Sequence, residues 1–148
     1  MQLTEHFSLQ EMCATQVRYD NTPTKIALAN LQLLCEKILE PARTWIGPIH
    51  VNSGYRTWQG NMAINGFENS QHMRGEAADI VPVNLTLNST VEAFHKIRQS
   101  DIPYDQLIYE KPTKISLGWI HISTSSKPRK QVLVCLAPRK FEPFTGQV

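Results

Sequence analysis

His72 and Asp79 lie seven residues apart in the stretch NSQHMRGEAADIVP, Asn69 to Pro82, with Gly75, Ala77 and Ala78 between them. A histidine and an aspartate set among the smallest residues admit two readings. One is a turn that happens to be polar. The other is a metal site, where small residues let the backbone pack close while two side chains converge on one ion. Catalytic zinc takes three N or O ligands and keeps one position open, so a third ligand has to come from a rigid element elsewhere. His121 is the best candidate. In Trp119-Ile120-His121-Ile122-Ser123 the alternation of a strand sends Ile120 and Ile122 to one side and His121 to the other. A histidine on the second face of an otherwise apolar strand needs a polar partner, and a metal ion is one. His6 falls in a start expected to be flexible. His50 and His95 have no acidic or histidine neighbour at useful spacing.

The elements that must position these residues can be traced along the chain. Ser8-Leu-Gln-Glu-Met has the capping-box pattern of a short helix. A polar loop, Asp20 to Pro23, precedes a helix expected from Thr24. Leu28, Leu31, Cys35, Ile38, Ala42 and Trp45 recur at intervals of three and four and form its core stripe. Pro41 interrupts that helix and predicts a kink or a fresh start. Gly47-Pro48 ends it. Ile49 to Asn52 reads as a strand, and Arg56 to Ile64 as a short helix or an irregular loop. Ala77 to Val81 reads as a strand ending at Pro82. Ser89 or Thr90 caps a helix to about Arg98, with Val91, Phe94, His95 and Ile97 on one face. Asp105 to Glu110, Trp119 to Ser123 and Gln131 to Leu136 are further strands, the first two joined closely enough to pair antiparallel. Helices come first and strands dominate later. The expected fold class is α+β, with helices packed on a mainly antiparallel sheet, in one domain spanning residues 1–148.

Composition excludes several functions. The chain carries 15 Lys and Arg against 13 Asp and Glu, a formal charge of +2. The short run Lys127-Pro128-Arg129-Lys130 reads as a solvated basic turn and not as a nucleic-acid stripe. Cys13, Cys35 and Cys135 are far apart and form no CxxC pair. They read as buried free thiols and fit a reducing compartment at synthesis. No apolar run approaches the roughly 18 to 20 residues of a membrane helix, and no secretory signal pattern is visible. The expectation is a monomer made in the cytoplasm, with no membrane or nucleic-acid partner.

The wider pattern joins Ser53-Gly54-Tyr55-Arg56, then Ser70 to Asp79, then Trp119-Ile120-His121. It resembles the zinc peptidases of the D-Ala-D-Ala carboxypeptidase and L-alanyl-D-glutamate endopeptidase type, peptidase M15, which share the hedgehog/DD-peptidase fold and include phage endolysins. Their signature SxHxxGxAxD is matched at every fixed position by Ser70, His72, Gly75, Ala77 and Asp79. The resemblance runs from about Leu3 to Ser123. It implies a zinc cofactor held by His72, Asp79 and His121. It makes Arg56 the arginine that holds a substrate carboxylate or polarises the scissile carbonyl, and a planar guanidinium suits that contact. Ser70 and Gln71, beside the first ligand, are candidates for substrate-side hydrogen bonds.

Two positions depart from the family pattern. Members usually carry Glu or Asp three residues before the last histidine, as general base, and here that position is Gly118. Glu110, at the end of the strand expected to pair with Trp119 to Ser123, is the replacement candidate, with Glu76 the weaker one. Trp58-Gln59-Gly60-Asn61 replaces a different stretch in many relatives. The resemblance implies hydrolysis of a peptidoglycan stem peptide, with delivery to the wall by another factor or in a virion. The competing expectation, for which Gly118 speaks, is a zinc-containing module that binds cell wall without cutting it.

Overall fold

The computed structural model describes residues 1–84, 89–114, 116 and 118–148. Short N-terminal helix α1 (Leu9–Met12) is capped by Ser8, whose hydroxyl accepts from the Glu11 N–H. Helix α2 (Lys25–Leu34) starts at Thr24, which caps the Ala27 N–H. It runs through a π turn (Cys35–Leu39) into α3 (Glu40–Ile46). Pro41 accounts for the π turn. Its ring has no N–H to give to Lys37 and crowds that carbonyl. The helix widens one turn earlier, and the Glu40 N–H donates to the Cys35 carbonyl. Helix α3 then follows with no residue between it and the π turn.

Leu31, Cys35, Ile38 and Ala42 are fully buried, whereas Trp45, placed in the same stripe by its spacing, is 48 % exposed. The π turn explains the slip: an extra residue per turn rotates the following face, and Ile46 takes the buried place instead. His6 is held as well, against the expectation of a flexible start. Its N–H and Nδ1 reach the Glu40 carboxylate at 2.9 and 2.8 Å.

Strand β1 (Ile49–Ser53) is followed by α4 (Trp58–Ala63), a 3₁₀ turn (Gln71–Arg74), β2 (Ala77–Pro82), α5 (Thr90–Gln99), β3 (Gln106–Glu110), β4 (Trp119–Ser123), β5 (Gln131–Ala137) and β6 (Lys140–Pro143). Helix α5 has a full capping box between Ser89 and Glu92. The six strands form one sheet in the order β1-β2-β4-β3-β5-β6. All neighbours are antiparallel except β3 and β5. The fold is α+β. The parallel pair and β6 lay outside the sequence reading. A parallel neighbour needs a long crossover, and here the β4 hairpin supplies it.

One sheet face meets the helices. Ile80, Leu107, Ile120 and Ile122 point there and pack with Leu31, Ile38, Phe94 and Ile97. Each such buried side chain contributes about 1.5–3 kcal/mol. Alternation sends Asp79, Ile108, Glu110, Trp119 and His121 to the opposite face, where they line a cleft. The basic run is more than a solvated turn. Arg129 pairs with buried Asp105 at 2.6 Å, and Lys130 donates to the Ile102 carbonyl and lies 4.0 Å over the Tyr104 ring. Among the described residues no helix is long and apolar enough to cross a membrane.

Candidate metal centre

Asp79 on β2 and His121 on β4 are directly opposed in the ladder. Two side chains in that register on one face have their Cβ atoms about 4.5–5.5 Å apart. The Asp79 carboxylate reaches His121 Nδ1 at 3.0 Å. The strand pairing alone therefore brings two of the three candidate ligands together.

His72 arrives from the 3₁₀ turn before β2. Gly75 ends that turn in the left-handed conformation, at φ +72, and a Cβ there would strike the Ala27 carbonyl of α2. Only glycine lets the turn close against the helix and drop straight into β2. The small residues at 77 and 78 serve the same end: both are completely buried where the turn, β2 and the core meet.

The His72 ring is 3 % exposed. Its Nδ1 lies 2.7 Å from the Gly54 carbonyl. A carbonyl only accepts, so Nδ1 carries the proton and Nε2 keeps its lone pair. That Nε2 points at Asp79 Oδ1, 3.3 Å away. The SGYR turn is thus the support of the His72 ring. It is fixed in turn by Asn21, whose side-chain amide donates to the Tyr55 carbonyl and accepts from the Thr57 N–H.

His72, Asp79 and His121 offer one donor atom each, and the three atoms lie within 4.8 Å of one another. Metal–ligand bonds of about 2.0–2.2 Å put tetrahedral neighbours roughly 3.3–3.5 Å apart. The 3.3 Å from His72 to Asp79 matches that spacing, and the 3.0 Å from His121 to Asp79 is a little shorter. Two imidazoles and a carboxylate are a donor set suited to zinc. Electrostatics agree. Burial alone would raise the Asp79 pKa, yet the charge and hydrogen bonds that the His72 and His121 rings offer when protonated hold its carboxyl well below the usual carboxylate range. Burial lowers His72, with Asp79 opposing, which favours the neutral, ligating ring.

The three residues sit at the base of a cleft of about 720 Å³. Arg56 and Glu110 line the same cleft. The Arg56 Nε is buried and has no hydrogen-bond partner among the described residues. Burial lowers its pKa, and Asp79 works against that. Glu110 is opposite Trp119 in the β3–β4 ladder, and His121 is opposite Ile108. Glu110 is therefore the diagonal neighbour of His121 on the cleft face, a relation that long side chains can bridge. Burial pushes its carboxyl pKa up, while the Cys135 thiol beside it donates a hydrogen bond to the charged form. Burial, and then Glu110, push that thiol up to about 12, so it stays protonated.

Other candidates lie elsewhere. The Gln71 amide donates to Asp105 at 3.0 Å and to the Thr124 carbonyl at 3.3 Å, and it lines a separate polar pocket. Ser70 is absent from the described lining of the cleft. Glu76 takes a 2.8 Å bond from Arg74 and faces the polar pocket as well. Gly118 has φ +79, and a Cβ there would lie 2.5 Å from the Glu110 carbonyl oxygen. An acidic side chain has no place at this position.

Sequence reasoning missed the second wall of the cleft, built by Leu133 and Cys135 of β5, Arg139 of the turn and Phe141 of β6. The alternation of Gln131 to Leu136 signalled a strand, but nothing in its composition signalled which sheet edge it joins. The Gly54 carbonyl was within reach of the reading, since it lies inside the SGYR element.

No curated protein matches the sequence closely enough for comparison. A model of the peptidase M15 family matches residues 5–123. The match begins before α1 and ends with the last residue of β4, two residues past His121. It takes in the SGYR turn, the 3₁₀ turn and all three donors, and the chain belongs to the peptidase M15 family.

Proposed function

We propose that this protein is a zinc-dependent peptidase that hydrolyses an amide bond in the stem peptides of peptidoglycan, as a phage or prophage lysin does. The observation that carries the reading is the convergence of His72 Nε2, His121 Nδ1 and the Asp79 carboxylate at the base of a cleft that also holds Arg56 and Glu110. His72, Asp79 and His121 would hold the zinc ion, which would supply Lewis acidity and lower the pKa of water at the site.

The chain's own residues do the rest. The Gly54 carbonyl orients His72, and Asp79, opposite His121 in the ladder, orients His121. Glu110 is the only carboxylate besides Asp79 among the described residues of the cleft lining. It takes the proton of the attacking water and returns it to the leaving amine. Burial raises its pKa, which helps it hold the proton until the amine leaves. Arg56, whose Nε has no partner among the described residues, offers its guanidinium to a substrate carboxylate or to the oxygen of the scissile carbonyl, where negative charge develops. The partly closed, mostly apolar surroundings keep these interactions from being screened by water.

The reading as a binding module drew on Gly118. That glycine has a structural reason of its own, since its backbone conformation and the Glu110 carbonyl exclude a side chain. The test is digestion of purified peptidoglycan by zinc-loaded protein, with fragments identified by mass spectrometry. Release of peptides with new amino termini supports the peptidase and names the bond. An unaltered fragment pattern from protein that retains zinc contradicts it. Delivery to the wall by a separate factor, or in a virion, follows from the same reading and is tested by fractionating producing cells before and after lysis.

A further inference from the structure

We propose that the β5–β6 hairpin is the specificity wall of the cleft, and that it receives an apolar side chain of the peptide next to the scissile bond. The inference rests on the peptidase reading for its substrate, and on the hairpin for its content. The hairpin begins at Gln131, beyond the residue at which the family match ends. The matched segment supplies the ligands, Arg56 and Glu110, and the hairpin supplies the facing wall, with Leu133, Cys135, Arg139 and Phe141 in the lining.

The wall is built at a cost that its packing alone does not explain. Pro138 and Arg139 form a two-residue turn between the paired residues Ala137 and Lys140. Arg139 sits at φ +61, a conformation that glycine or asparagine adopts with far less strain. A non-glycine residue held there points to a use for its side chain. The use is visible. The Arg139 guanidinium donates to the Asn65 carbonyl at 2.8 Å and lies 4.2 Å over the Phe67 ring. Phe67 packs on Phe141 with ring centroids 5.9 Å apart. Arg139 thus bridges the two walls of the cleft, and joins residues 74 positions apart in sequence.

The surface so fixed is apolar, concave and continuous with the metal centre. Phe67 is 47 % exposed despite its two aromatic and cationic neighbours. Trp119, Ile108 and Leu133 extend the apolar lining toward His121. An apolar pocket with a few converging polar groups is the usual make-up of a ligand site. Of the hairpin residues in the described lining Arg139 alone is charged, and it is engaged with Asn65 and Phe67, so the wall suits an uncharged apolar side chain.

The test uses zinc-loaded full-length protein and N-acetylated alanine tetrapeptides in which each position in turn carries Leu, Glu or Lys, in L and D forms. The wild type is expected to prefer Leu at one position by roughly 10-fold or more in kcat/KM, the scale at which apolar pockets discriminate. Phe141→Ala and Arg139→Gly are expected to abolish that preference mainly through KM. Arg139→Gly also removes the left-handed strain, so thermal melting should show it folded. Chemical-shift titration of the same peptides into the metal-free protein gives a second readout, with shifts expected at Phe67 and Phe141. A preference and shifts unchanged in both variants overturn the proposal. If the wild type cleaves none of these peptides, digestion of purified peptidoglycan decides the proposed function separately. Titration then still decides the wall: Leu-selective binding lost in Phe141→Ala upholds it, and no Leu-selective binding overturns it.

Discussion

Asp79 and His121 are opposed residues of the β2–β4 ladder, and their side chains meet at 3.0 Å on the cleft face. The same Asp79 oxygen lies 3.3 Å from His72 Nε2. This carboxylate joins the two imidazoles of the centre. Removing one imidazole should therefore remove the metal. His121→Ala is expected to lose zinc on dialysis and to lose hydrolysis with it. The wild type should melt at higher temperature as zinc is added, since ligand binding to the folded state stabilises it. The variant should show no such shift. Retention of a full zinc equivalent by His121→Ala would sink the ligand assignment.

Glu110 carries the proton transfers in this account. Glu110→Gln should keep its zinc and its fold and lose about 10²- to 10⁴-fold in kcat, the usual contribution of a general base. The rate at acidic pH should tell the same story. A base acts only when ionised, so wild-type kcat/KM should rise with pH through the Glu110 titration. That limb should be missing from the residual activity of the variant. Zinc analysis and a pH profile on one peptide check both halves.

Gly118 is predicted to be structural. Gly118→Ala places a Cβ 2.5 Å from the Glu110 carbonyl oxygen at a φ of +79. The left-handed backbone alone costs about 1–2 kcal/mol, and the clash adds to it. Restoring an acid there, as Gly118→Glu, should lower stability and should not raise activity. Thermal unfolding and the rate on one substrate decide this. A more active Gly118→Glu protein would show that the base was lost at this position.

Away from the site, Asp105 tests the electrostatics of the fold. It is 2 % exposed and accepts from the Arg129 backbone N–H, the Arg129 guanidinium and Gln71. Hydrogen bonds from Arg129, against the opposing effect of burial, lower its pKa. A carboxyl with a depressed folded pKa stabilises the protein above the unfolded value of about 3.9, and that stability is lost as pH falls through the folded value. Arg129→Ala should thus cost about 1–3 kcal/mol near neutral pH. The gap to wild type should shrink below about pH 4. Urea unfolding across that range is the measurement, and a constant gap would contradict the assignment.

The centre was legible in the sequence because its spacing is local. His72, Gly75, Ala77 and Asp79 fall within one turn and the start of one strand, and period-two alternation put His121 on the second face of β4. Helix α2 and its buried stripe were legible as far as Ala42. Beyond it, the π turn forced by Pro41 rotated the face, and Trp45 came out exposed. Gln71 was misleading for another reason. Adjacency to a ligand in a 3₁₀ turn turns the next side chain about a third of a circle away, here toward Asp105. The hairpin wall could not be placed, because parallel pairing of β3 with β5 depends on the whole sheet and on no local signal.

The central claim is that a single zinc at His72, Asp79 and His121 drives cleavage of peptidoglycan peptides. The most direct measurement is a titration. Protein stripped by chelator is reloaded with zinc in steps while free amino groups released from purified peptidoglycan are counted. The account predicts no release without metal, and release that rises with zinc and levels off at one equivalent. A protein that takes up its zinc and releases nothing would contradict the account.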